Sequence, residues 1–68
     1  MRMTPADVYR RVEEIRLLKD DPERAHALED TLYRHLLEGI AKGHINYPAS
    51  CAIAALDSRY IDFTRGCS

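Results

Sequence analysis

Residues 22–42, PERAHALEDTLYRHLLEGIAK, decide the fold, because no other stretch is long and periodic enough to fix an element by itself. At about 100° per residue, Ala25, Leu28, Leu32, Tyr33, Leu36, Leu37 and Ile40 fall on one broad arc, the pattern of a helix that buries one side. The other side carries Asp30, Thr31, Arg34, His35, Glu38 and Lys42, with Asp30 and Arg34 spaced as an i,i+4 pair. The ends are marked as well. Asp21 can accept from the first free amides, Pro22 suits the first helical position, and Gly43 follows Lys42 as a left-handed stop. One residue breaks the stripe. Glu29 falls between Leu36 and Ile40 on the apolar arc, with His26 a little further round beside Tyr33, and a carboxylate among leucines is costly unless a cation or several donors meet it.

Working outward, Thr4, Pro5 and Asp7 read as an N-cap, a first-turn proline and an acid that helps close the cap, opening a helix from Pro5 to about Lys19. Its apolar arc holds Val8, Val12, Ile15 and Leu18, with Tyr9 at one edge; Arg10 and Glu14 form an i,i+4 pair facing water. Arg11 interrupts the arc. The linker Asp20-Asp21-Pro22 is short enough to force an antiparallel hairpin, so Arg11 and Glu29 are expected to meet, directly or through a water. Downstream of Gly43, residues 44–47 cross over and Pro48 opens a third helix to about Ser58, capped by Asn46 or Tyr47. Its small side chains, Ala49, Cys51, Ala52, Ala54 and Ala55, predict close approach to the 22–42 helix. The tail is expected to form a turn and an extended segment, anchored by Tyr60, Ile61 and Phe63. The fold expected is therefore all-α, one compact three-helix domain over residues 1–68.

A chain of 68 residues supports a single core of marginal stability, which makes pairing with a partner or a second copy a live expectation. Its net charge of −1 argues against a nucleic-acid binder, which carries a basic footprint. No run approaches the roughly 18 apolar residues of a membrane span, and the start lacks the apolar stretch of a signal peptide, so a cytoplasmic setting is expected. Cys51 and Cys67 are then expected to be reduced, although one bridge between them is possible in an oxidising compartment. They show no CxxC spacing, and no cofactor is expected.

Two segments, ERAHALEDTLYRHLLEGIAKG and AALDSRYIDFTRGC, together resemble a group of small actinobacterial and actinobacteriophage proteins of unknown function. In that group a His-x-x-Glu-Asp-x-x-Tyr helix precedes an Ile-Asp-Phe-x-Arg tail. The resemblance spans residues 5–67 and places the pattern on His26, Glu29, Asp30, Tyr33, Asp62, Phe63 and Arg65. It departs where Gly66 stands in place of an aromatic residue. It implies a bacterial or phage cytoplasmic setting and supplies no activity.

His26, Glu29 and Tyr33, at i, i+3 and i+7, line one side of the helix. They could form a pocket in which Glu29 and His26 act as acid and base, or a structural network in which Arg11 or Arg65 neutralises Glu29; the second is the expectation, since ion-pair networks are the commoner cause of such clusters. A His and a Glu three apart also resemble half of a diiron motif, but the further carboxylates are missing and no HExxH is present, so no metal is expected. A helix-turn-helix reader is poorly served by the Ala-rich third helix, which has almost nothing to bond base edges. Leu17 and Leu37 lie outside or at the margin of their arcs and are candidates for an interaction surface. The sequence thus points to a non-enzymatic protein-interaction module of bacterial or phage origin. The alternatives are a small enzyme or ligand- or metal-binding protein using the His26–Glu29–Tyr33 pocket, and behind that a nucleic-acid regulator.

Overall fold

The computed structural model describes residues 3–63; Arg65 and Cys67 lie outside the described residues. Three helices follow in order, α1 (Pro5–Leu17), α2 (Pro22–Lys42) and α3 (Pro48–Leu56), and a 3-10 turn, Asp57–Tyr60, closes onto them. The third helix thus ends two residues before the sequence suggested, and Ser58 belongs to the turn.

Each helix begins where the local chemistry demands. Thr4 and Asp7 close a full capping box: the Thr4 hydroxyl accepts from the Asp7 amide at 3.3 Å, and Asp7 Oδ2 accepts from the Thr4 amide at 3.0 Å. The Thr4 amide and the Thr4 hydroxyl, which lies 3.1 Å from Asp7 Oδ2, both donate to that carboxylate and, aided by the nearby Arg10 guanidinium, hold the Asp7 carboxyl below the ordinary carboxylate range. Asp21 caps α2, and Gly43 ends it at φ 72°, where a side chain would be strained. Tyr47, not Asn46, stands at the start of α3, and it does so at φ 56° with no side-chain cap bond. A tyrosine held in the left-handed region ahead of a proline is an unfavourable start, and α3 owes its place to burial.

Helices α1 and α2 run antiparallel. Leu18 lies with Ala27 and Leu28, Arg11 reaches His35, and the Met3 amide bonds to the His44 carbonyl at 3.3 Å, so positions advance in opposite senses. The Asn46 amide completes a bridge by donating to the Met3 carbonyl at 3.0 Å, which pins the crossover to the start of the chain. That bridge has no signature in the sequence pattern. Helix α3 lies across both others, and it packs more extensively on α1 than on α2. Its small residues Cys51, Ala54 and Ala55 meet Val8, Val12 and Ile15 in the core, where Leu32, Leu36, Ile61 and Phe63 add bulk.

The leaning of α3 toward α1 corrects the expectation that it wedges against α2, and it has a cost. Leu37 (67% exposed), Ile53 (63%) and Leu56 (56%) remain outside the core. In the tail, Ile61 and Phe63 are buried as expected, whereas Tyr60 points outward and anchors nothing. The expected Arg10–Glu14 pair is not made: Arg10 meets Asp7 at 3.4 Å and Arg16 meets Glu13 at 3.1 Å, pairs that belong to exposed side chains. No helix among the described residues is long and apolar enough to cross a membrane.

Candidate functional site

Two places stand out: the buried acid and the open side of α2. Glu29 is only 4% exposed, and its carboxylate is met by a residue the sequence reading did not single out. Ser58, wholly buried in the 3-10 turn, donates its hydroxyl to Glu29 Oε2 at 2.6 Å. The Tyr33 hydroxyl lies 2.6 Å from Ser58 Oγ and 3.4 Å from the Ala55 carbonyl. With Glu29 ionised its oxygens can only accept, so the Ser58 proton points at Glu29 and the Tyr33 proton at Ser58 Oγ. With Glu29 protonated the donation runs the other way and ends on the Ala55 carbonyl. In both cases Ser58 Oγ both donates and accepts, and such chains strengthen each member.

The acid, the tyrosine and the turn therefore form one relay that ties α2 to the end of α3. Among the described residues no buried side-chain nitrogen or oxygen lacks a partner. The geometry is closed: a substrate would have to displace the turn to reach either Glu29 or Ser58.

Arg11 does not join this relay. Its guanidinium lies 3.2 Å from His35 Nδ1, and since an arginine can only donate, that ring nitrogen is the unprotonated one. The expected Arg11–Glu29 pair fails because Glu29 and His35, which Arg11 reaches instead, sit on different sides of α2: Glu29 faces the 3-10 turn, and His35 faces α1. His26, half-buried, places Nδ1 3.5 Å from Asp30 Oδ2, so Asp30 meets His26 and not Arg34. Of the five residues expected to form a polar network, Glu29 and Tyr33 are joined through Ser58, Arg11 and His26 contact other partners, and Arg65 lies outside the described residues. No group of three or more His, Cys, Asp or Glu that could hold a metal occurs among the described residues. Cys51 is a buried free thiol that donates to the Asn46 carbonyl at 3.3 Å; burial, reinforced by Asp7, pushes its pKa up and makes it a poor nucleophile.

The second place is a groove of about 240 Å³ between α2 and α3, lined by Tyr33, Leu36, Leu37, Ala52, Ala55 and Leu56. Its floor is alanine and its rims are leucine, a consequence of α3 leaning away. The sequence placed Leu37 at the margin of its arc, and it is one of these rims. Leu17 is 76% exposed on α1 and does not line this groove. The period of so short an Ala-rich segment as 48–56 gives no sign of which side stays open, so the exposure of Leu56 and Ile53 has no signature in the sequence.

Compared with protein-family models, with curated proteins and with solved structures, the chain matches none.

Proposed function

We propose that this chain is a non-enzymatic protein-interaction module, of the bacterial or phage setting its sequence resemblance implies, and that it docks through the α2–α3 groove. One observation carries the reading: the groove's lining is apolar throughout, and Leu37 and Leu56 stand more than half exposed at its rims in a domain that has few large side chains to bury. The relay around Glu29 supports the same reading, because the acid is only 4% exposed and bonded to the buried Ser58, which holds it out of reach of a substrate. The test compares two leucines of similar exposure. In affinity capture with mass spectrometry from cells that make the protein, Leu37→Asp is expected to abolish recovery of the partner, and Leu17→Asp to leave it intact. Equal behaviour of the two variants would overturn the assignment of the docking face.

A further inference from the structure

On the other side of α2 from the groove, a hollow of about 300 Å³ opens between the last turns of α2, the crossover and the start of the chain. Backbone bonds hold its wall. Met3 and Ile45 form a bridge in which the Met3 amide donates to the His44 carbonyl at 3.3 Å and the Asn46 amide to the Met3 carbonyl at 3.0 Å. The His44 amide in turn donates to the Gly39 carbonyl at 2.8 Å. Gly39 is what lets this wall close, since a Cβ there would collide with the Ile45 side chain. The hollow is therefore preformed, with Met3 and Ile45 as its apolar part.

The rest of the lining is polar. His35, Glu38 and Lys42 stand at i, i+3 and i+7 of α2, and His44 lies beside them. Glu38 and Lys42 have the four-residue spacing of a helix ion pair, yet no ion pair joins them or ties either to another charge among the described residues. Arg11 decides which nitrogen of His35 carries the ring proton. The guanidinium, 3.2 Å from Nδ1, can only donate, so the proton is on Nε2, at the ring edge turned away from Arg11. The hollow thus holds a cation and a fixed N–H donor next to an anion. The formal charges of Lys42 and Glu38 cancel, so a phosphate or a lone carboxylate meets one attraction and one repulsion, whereas a ligand of both signs meets two attractions. The carbonyl end of α2, the negative pole of its dipole, adds to the pull on a positive group.

We propose that this hollow binds a free apolar α-amino acid as its zwitterion. The ligand carboxylate takes Lys42 and the His35 Nε2–H, its ammonium takes Glu38, and its side chain lies on Met3 and Ile45. A volume of about 300 Å³ is at the small end of ligand sites and suits one amino acid better than a nucleotide. The site is on a different face from the docking groove, and neither depends on the other.

The experiment is a titration of the full, isotope-labelled chain with L-leucine to about 50 mM, followed by amide NMR, a range that covers weak small-ligand binding. Saturable shifts are expected at the amides of Gly39, Lys42, His44 and Ile45. N-acetyl-leucine, which lacks the ammonium, and leucinamide, which lacks the carboxylate, are each expected to bind roughly tenfold more weakly, as is leucine to Lys42→Gln. In Glu38→Gln the preference for leucine over N-acetyl-leucine disappears, because the ammonium has lost its partner. Leu17→Asp, at the opposite end of α1, leaves leucine binding unchanged. All four charged lining residues are exposed, and circular dichroism checks that each variant keeps its fold. No saturable shift with leucine overturns the site. Shifts confined to other amides overturn its place, and equal binding of leucine and its two capped forms to the wild type overturns the ligand class.

Discussion

Replacing Ser58 by alanine removes one oxygen from a fully buried position, and the structure fixes what that oxygen does. It donates to Glu29 Oε2 at 2.6 Å and takes the Tyr33 hydroxyl at 2.6 Å. A hydrogen bond to a charged group contributes about 1.5–3 kcal/mol and a neutral one about 1 kcal/mol, and the loss of the hub forfeits both. Tyr33 recovers a part by donating to the Ala55 carbonyl, already 3.4 Å away. The net expectation is a destabilisation of roughly 2–4 kcal/mol, a large share of the roughly 3–10 kcal/mol that a domain of this length possesses. At about 4–8 °C per kcal/mol for small domains, the melting temperature falls by roughly 8–30 °C. Tyr33→Phe is the internal control. It removes the outer hydroxyl and leaves the Ser58–Glu29 bond in place, so it costs only about 1 kcal/mol. Urea unfolding followed by circular dichroism, with both variants and the double variant, measures the two costs and their coupling. Equal costs for Ser58→Ala and Tyr33→Phe, or a Ser58→Ala cost under about 0.5 kcal/mol, would refute the relay, because such values are those of ordinary surface substitutions.

Three further outcomes follow from local chemistry. Asp7→Asn lowers the melting temperature at neutral pH. Because the folded carboxyl lies below its free value of 3.8, its contribution is full above that pH and fades as pH falls through the lower folded value, so the gap between wild type and variant closes in a melting series taken to acid. Tyr47→Gly relieves the positive φ of 56° and is expected to raise stability by about 1 kcal/mol in urea titrations; a loss would mean the tyrosine ring contributes packing that outweighs the strain. Cys51 should resist alkylation at pH 8 in the folded protein and react in urea, read by peptide mass mapping, because its thiol is buried and its pKa raised.

The three helices and most of their ends could be read from the sequence, because Pro5, Pro22, Pro48, Thr4, Asp21 and Gly43 are local signals that act within one turn of themselves. The buried acid could be found as well, since Glu29 breaks a period set by Leu32 and Leu36. Its partner could not. Arg11 looked suitable because a hairpin brings α1 and α2 together, yet which side of α2 faces α1 depends on where α3 settles, and that is a packing outcome. Ser58 had no charge to advertise it, and a hydroxyl at the end of an Ala-rich helix looks like surface until the turn folds it inward. Sequence periodicity also cannot say that α3 leans on α1, so the exposure of Leu56 and Ile53 and the groove rimmed by Leu56 and Leu37 became visible only in three dimensions. The charged side of α2 was legible in part: Asp30 and Arg34 read as a pair within one helix, whereas the structure gives Asp30 to His26.

The central claim is that the chain works through the open side of α2 and keeps its buried polar groups for stability. A photoreactive phenylalanine analogue placed at position 37, and separately at position 17, tests it directly in the cell. The account predicts a crosslinked protein adduct from position 37 and no adduct from position 17. Adducts from position 17 with none from position 37 would contradict it.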